Sequence, residues 1–227
     1  MPVPAEVEQE FAAELEREAF AWAEAAEGEL PGEPTTEGAK DDSAVLESAP
    51  ALAVPDERQV EGYACGAACV VAVCRFFGKE PDRQGDALRQ LGTSPRDGTD
   101  PEHIIAVLQD HGLETVALSG MGMDEVEYFL GRGMPLIACV LAWGAPEEVA
   151  ALESGHYVVL CGTSDEGLTV MDPARFDPAE PAEEYGGRSL GGQRVLVPRE
   201  EFLRRWVDQD SENNVYERYG IAVRGSP

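Results

Sequence analysis

The run QVEGYACGAACVVAVCRFFG, residues 59–78, constrains this chain more than any other segment. From Cys65 to Phe77 it is apolar and helix-forming, and Gly78 closes it. Glycine takes the left-handed conformation that ends helices, so the spacing predicts a helix over about Cys65–Phe77. That helix begins on a cysteine, with Gln59 six residues ahead of it. A neutral thiol is a poor nucleophile and a thiolate a good one. In the first turn of a helix, backbone N–H groups and the helix dipole favour the thiolate. Gly66 carries no side chain, which is expected to let a peptide backbone approach the sulfur.

Two strands are expected downstream, His156–Thr163 and Leu168–Asp172, with Ser164-Asp165-Glu166-Gly167 as the turn between them. Folding about that turn is expected to bring His156 and Asp172 nearly opposite each other, within about one residue of register. An imidazole and a carboxylate would then meet across the pair, the carboxylate fixing the tautomer and stabilising the imidazolium. Gln59 offers a side-chain N–H to a developing oxyanion. Cys65, His156, Asp172 and Gln59 together are the parts of a cysteine hydrolase: nucleophile, base, orienting group and oxyanion donor.

Other signals give the fold class. Helices are expected near Arg83–Leu91, from Asp100-Pro101 to Gly112, near Asp124–Leu130 and over Arg199–Trp206. Further strands are expected near Thr115–Leu118, Pro135–Trp143, Arg194–Val197 and Tyr219–Val223. Helices first and strands later make an α+β pattern, with N-terminal helices packed on an antiparallel sheet.

The N-terminal 57 residues differ from the rest. They hold 16 acidic and 2 basic side chains, so they carry −14 of the net −27. Residues 5–27 place Val7, Phe11, Leu15, Ala19 and Trp22 at helical spacing. Residues 28–57 read as a linker punctuated by Pro31, Pro34, Pro50 and Pro55. We therefore expect an acidic extension over 1–56 and a catalytic domain over 57–227. The extension is either a solvated tail or a segment that docks on the domain as a pro-segment or leader mimic. The acidic balance argues against nucleic-acid binding, which needs a basic face, and favours a basic peptide as partner. Two lysines against fifteen arginines fit either a high-salt cytoplasm or a high-GC genome. No apolar run is long enough for a membrane span, and the N-terminus has no secretory pattern. Five cysteines without framework spacing fit reduced thiols in a cytoplasm.

The order Gln, Cys, His, Asp is that of papain-like peptidases. More closely, the chain resembles the bacteriocin-processing cysteine peptidases, which cleave leader peptides after a double glycine. The resemblance is carried by Gln59 before YACGAAC, the helix ending RFFG, and the segments GHYVVLCG and LTVMDP. The closing EEFLRRWVDQD and RYGIAV extend it over roughly residues 57–224. It implies a papain-like fold, Cys65 as nucleophile, His156 as general base, Asp172 as orienting group, Gln59 in the oxyanion hole, and no cofactor. Its best-known members are fused to membrane and ATP-hydrolysing domains. With neither a span nor a GxxxxGK[ST] loop in the sequence, the resemblance implies a free-standing member that works beside a separate export transporter.

Other features read more plainly. Cys69, Cys74, Cys139 and Cys161 are expected to be small buried core residues. Cys65 and Cys69 lack a second ligand pair, so no metal site is expected. His103 and His111 are assigned to a solvated helix face. Asp208 to Asn214 hints at a calcium loop but lacks the central glycine and the closing glutamate. Gly186-Gly187 and Gly191-Gly192 are assigned to a flexible connection. Two rivals to hydrolysis stay open: acyl transfer to an amine or thiol on the same scaffold, and a peptide-binding module without turnover.

Overall fold

A computed structural model describes residues 51–141, 155–174, 187–209 and 214–225. The chain divides into two compact units, 1–46 and 47–227, and every described residue belongs to the second. The amphipathic segment at 5–27 and most of the linker lie outside the described residues.

The helical half comes first: α1 (Cys65–Phe76), α2 (Gln84–Leu91) and α3 (Pro101–Asp110). Local chemistry sets their ends. Gly92, at φ +62°, closes α2. Asp100 caps α3 by accepting the N–H of Glu102 at 2.7 Å, and Pro101 supplies its first helical residue. The strands β1 (Leu113–Leu118), β2 (Leu136–Leu141), β3 (Gly155–Ser164), β4 (Gly167–Met171), β5 (Arg188–Gly191), β6 (Arg194–Val197) and β9 (Gly220–Gly225) make a seven-stranded sheet. Its order is β1-β9-β2-β3-β4-β6-β5, antiparallel throughout. Helices α4 (Met123–Gly131) and α5 (Arg199–Arg205) interrupt the strands, and β7 (Val207–Gln209) pairs with β8 (Val215–Glu217) as a separate ribbon. This is the expected α+β fold.

Alternation along the strands divides the core in two. Ile137, Cys139, Tyr157, Val159, Met171, Ile221 and Val223 face one side, where they join α1, Leu91 of α2 and Ile104 and Leu108 of α3 in one buried cluster. Val126 and Phe129 of α4 and Phe202 of α5 are buried outside that cluster. Their helices pack instead on β2, β3 and β4. The apolar α1 is thus a central helix, buried from Gly66 to Cys74.

The β3–β4 hairpin is irregular. Thr163 pairs with Leu168 and Gly162 with Thr169, but Leu160 pairs with Val170, so Cys161 is an extra residue in β3. Its carbonyl, released from the ladder, accepts the N–H of Leu52 at 2.7 Å. Beside it, a Cβ on Gly162 would fall 2.8 Å from the Cβ of Ala51, so only glycine admits the incoming chain. Val54 then enters the core fully buried, and Asp56 pairs with Arg194 at 3.3 Å. Residues 51–56, expected to end a linker, are bound to the domain.

Two other expectations change. The region assigned to a flexible connection contains β5, and Gly192, at φ +57°, makes with Gln193 the tight turn between Gly191 and Arg194 that leads into β6. The segment that hinted at a calcium loop begins inside β7, its residues 210–213 lie outside the described residues, and Asp208 turns inward. Its carboxylate accepts from the Cys139 thiol at 2.9 Å and from the N–H of Gln209 at 2.8 Å, so it is committed to the core.

A chain beginning at Glu57 should therefore be less stable than one beginning at Glu47. It loses the burial of Val54, worth about 1.5–3 kcal/mol, and leaves the Cys161 carbonyl without its partner, at a cost of about 1–3 kcal/mol. Thermal unfolding should show a midpoint lower by about 10 °C. Equal midpoints would show that residues 51–56 contribute nothing.

Candidate active site

Helix α1 presents Cys65 at its first position. The preceding residue, Ala64, offers no side-chain cap, and no acidic side chain stands in the first turn. The N-terminal dipole is therefore not neutralised locally. Cys65 as a residue is half-buried. Burial alone pushes its pKa up. Against that act a hydrogen bond from His156, the charge of His156, and the backbone N–H groups of Tyr157 and Gly66, and the thiol is held below its ordinary value of 9.0. The other four thiols shift the opposite way. Burial raises Cys74 and Cys161 to about 12 and Cys69 and Cys139 well above 9.0. Among the five free cysteines, Cys65 is the one prepared to ionise.

His156 stands near the start of β3 and Asp172 just beyond the end of β4. The imidazole Nε2 lies 2.7 Å from Asp172 Oδ1, with both side chains almost wholly buried. With Nε2 so engaged, Nδ1 is the nitrogen left for the hydrogen bond to the Cys65 sulfur. Burial lowers the imidazole pKa, but the charge and hydrogen bond of Asp172, with the contribution of Cys65, raise it to about 10. Asp172 is itself held in place: Oδ1 also accepts the N–H of Ala174 at 2.8 Å, and its own N–H donates to the carbonyl of Gln193 at 2.8 Å.

His156 and Asp172 were expected nearly opposite each other, within about one residue of register; the ladder sets them two residues apart. The last ladder pair is Val159 with Met171, so continuing one step sets Asp172 opposite Val158 and diagonal to His156. The Cys161 bulge makes this diagonal contact possible. Without it, Asp172 would fall opposite Val159, an odd number of residues from His156, and the two side chains would point to opposite faces. One extra residue makes the offset even.

Gln59 reaches this region through its main chain, donating its N–H to the carbonyl of Pro173 at 2.9 Å. Its side-chain Nε2 donates to the carbonyl of Glu61 at 3.0 Å, while Oε1 is buried without a partner. A surface cleft of about 460 Å³, lined by Arg58, Gln59, Val60, Glu61 and Gly62, opens beside it.

Gly66 is packed closely by the chain itself. A Cβ there would lie 2.8 Å from Thr99 Oγ1 and 2.9 Å from Thr99 Cβ. The missing side chain thus makes room for Thr99. The Thr99 carbonyl accepts the Tyr157 hydroxyl at 3.0 Å, which ties the loop before α3 to β3. Tyr157 escaped the sequence reading because it acts through its main chain; adjacency to His156 was its only signal. Of the remaining histidines, His103 is exposed, while His111 is half-buried with Nε2 3.2 Å from Gln90 Oε1, and neither reaches the site. Among the described residues, no group of three or more His, Cys, Asp or Glu side chains is placed to hold a metal ion.

Two outcomes follow. Gly66→Ala should destabilise the chain by about 1–2 kcal/mol in denaturant unfolding, because overpacking against a branched threonine exceeds the helix-propensity gain of about 1 kcal/mol. A stabilised variant would show that Thr99 yields freely. The second concerns pH. The folded value of His156, about 10, lies above the 6.5 of a free imidazole. Protonated His156 therefore stabilises the fold fully below about pH 6.5, and this is lost as pH rises through about 10. The Cys65 thiolate has the reverse sign, stabilising above 9.0 and less as pH falls through its lowered value. Iodoacetamide labelling of Cys65 should thus reach half its maximal rate below pH 9.0, and Asp172→Asn should move that point upward. An unchanged profile in Asp172→Asn would separate the carboxylate from the thiol.

The family profile described as Peptidase C39 matches residues 54–179, more than half of the chain. A relative from Escherichia coli, "Probable microcin-H47 secretion/processing ATP-binding protein MchF", is 29% identical over 150 residues, which are 66% of this chain and 19% of that protein. The chain thus spans about a fifth of the length of that relative. Among solved structures, a double glycine motif protease from an AMS/PCAT transporter, in complex with the leader peptide, superposes with a TM-score of 0.53 at 20% identity, covering 80% of this chain and 97% of that one. The peptidase domain of Streptococcus ComA, a bi-functional ABC transporter, gives 0.53 at 18% identity, with 76% and 99% covered. These likenesses establish the papain-like peptidase fold, and the profile match establishes that the chain belongs to the Peptidase C39 family of cysteine peptidases.

Proposed function

We propose that this peptidase removes leader peptides by cutting after small residues of the double-glycine type, through a Cys65–His156–Asp172 triad. The observation that carries the reading is the single lowered thiol, hydrogen-bonded to an imidazole that is in turn bonded to a buried carboxylate. In this scheme the Cys65 thiolate attacks the scissile carbonyl, and a C–S bond forms as the carbonyl oxygen takes the negative charge. Gln59 Nε2 and main-chain N–H groups near Cys65 donate to that oxyanion. His156 gives its Nδ1 proton to the leaving amine, the C–N bond breaks, and a thioester remains. His156 then takes a proton from water, whose oxygen attacks the thioester; the C–S bond breaks, the leader leaves as a carboxylic acid and the Cys65 thiolate beside protonated His156 is restored. Asp172 keeps the ring turned with Nδ1 toward the sulfur and stays ionised throughout.

The substrate class comes from the resemblance and from the E. coli and AMS/PCAT relatives, whose names refer to processing and to a double glycine motif. On this reading a separate export transporter receives the trimmed peptide. The five free thiols favour a cytoplasmic setting, and among the described residues no helix is long and apolar enough to cross a membrane.

The test is cleavage of a peptide carrying an amphipathic leader, Gly-Gly and a cargo, with products weighed by mass spectrometry. Cleavage should follow the second glycine, and Cys65→Ala or His156→Ala should slow it by about a thousandfold or more. Cleavage that persists in Cys65→Ala would overturn the nucleophile. Cutting confined to other sequences would overturn the double-glycine substrate, and products joined to an added amine would show acyl transfer in place of hydrolysis.

A further inference from the structure

Gln84 opens α2 and is buried, only 6% exposed. Its amide has three partners, all in the segment that carries Gln59. Nε2 donates to Glu57 Oε1 at 2.5 Å and to the carbonyl of Arg58 at 2.6 Å, and Oε1 accepts the N–H of Val60 at 3.0 Å. Both ends of one amide therefore grip the main chain on either side of Gln59. The same segment is held twice more. Glu57 pairs with Arg75 on α1, and the N–H of Gln59 is bonded to Pro173, the residue after Asp172.

Burying an amide is costly unless its hydrogen bonds are met, and here they are met entirely by this one loop. An apolar side chain would fill the same space without fixing the loop, because only hydrogen bonds have the directionality to set a backbone. Nothing in the proposed chemistry touches Gln84.

We propose that Gln84 is a positioning residue: its amide clamps residues 57–60 so that the Gln59 side chain is set to donate to the oxyanion formed at Cys65. The inference rests on Gln59 being that donor. The Gln59 N–H joins the same loop to Pro173, beside Asp172, so by holding that loop α2 helps set the distance between donor and nucleophile. Misplacing such a donor by about an ångström can cost up to about a hundredfold in rate.

Two small reagents, applied to the full chain, test the clamp without a peptide substrate. Iodoacetamide alkylates Cys65 by displacing iodide and forms no oxyanion. p-Nitrophenyl acetate acylates Cys65 through a tetrahedral oxyanion, expels p-nitrophenolate and leaves an acetyl thioester. Rates are taken above the Cys65→Ala background. Gln84→Met should slow acylation by about tenfold and leave alkylation unchanged. Gln84→Glu keeps the oxygen for Val60 but loses the donor and faces the Glu57 carboxylate; it should behave the same way and is the second variant if Gln84→Met fails to fold. Gln59→Ala should slow acylation by about a hundredfold, and Gln84→Met added to it should cost nothing more.

If Gln59→Ala slows acylation while neither Gln84 variant does, the clamp is overturned and the donor stands. If Gln59→Ala leaves acylation unchanged, the donor reading falls and the clamp with it. Equal slowing of both reagents in the Gln84 variants, or additive losses in the double variant, would mark Gln84 as merely structural and overturn the proposal.

Discussion

The contact between His156 and Asp172 depends on a count of residues. The two side chains come from adjacent strands, and neighbouring positions on a strand face opposite ways. Only an even offset lets them meet, and the bulged Cys161 supplies it. The same bulge frees a carbonyl, which Leu52 takes up, and next to it Gly162 admits Ala51. The orientation of the imidazole and the attachment of residues 51–56 thus share one irregularity. A regular hairpin would have neither.

Burial acts on every ionisable group at the site, and the local partners decide the outcome. It raises the thiols and lowers the imidazole, which taken alone would leave a neutral pair. For Cys65 and His156 the mutual hydrogen bond and opposite charges outweigh it, with Asp172 behind them. Cys69 lies one turn further along α1, meets burial and like charges without a compensating cation, and goes the other way. A single helical turn therefore separates a thiol held below 9.0 from one raised well above it. Such selectivity follows from position at the helix N-terminus, since that is where free N–H groups and a facing strand are available together.

Much of this was legible in the sequence where the signal is local. Asp100-Pro101 marked the start of α3, the Val-Leu-Val run of Arg194–Val197 marked β6, and the cysteine at the head of an apolar stretch marked the head of α1. Cys65, His156 and Asp172, the residues proposed as a triad, could be singled out because each sits at the end of an element whose pattern is clear. What remained hidden is non-local. The bulge could be suspected only from Gly162 inside a strand, a residue that often signals a bulge or a close backbone approach and here does both. Gln84 gives no signal at all, because its partners lie 24 to 27 positions upstream. Gly66 was legible as a glycine that must be small, but the atom requiring it belongs to Thr99, across the core. Residues 51–56, Ala-Leu-Ala-Val-Pro-Asp, follow a stretch of linker composition without a break, and their contacts show that they belong to the domain.

The division among the five thiols has a practical consequence. In the native state one equivalent of a mild electrophile should be consumed, so that thiol uptake counts competent molecules directly. The other four sulfurs are buried by the same packing that holds the sheet against α1. They become available only when that packing opens. The cysteines thus form a built-in gauge: the first equivalent reports the pairing of Cys65 with His156, and the remaining four report the integrity of the core.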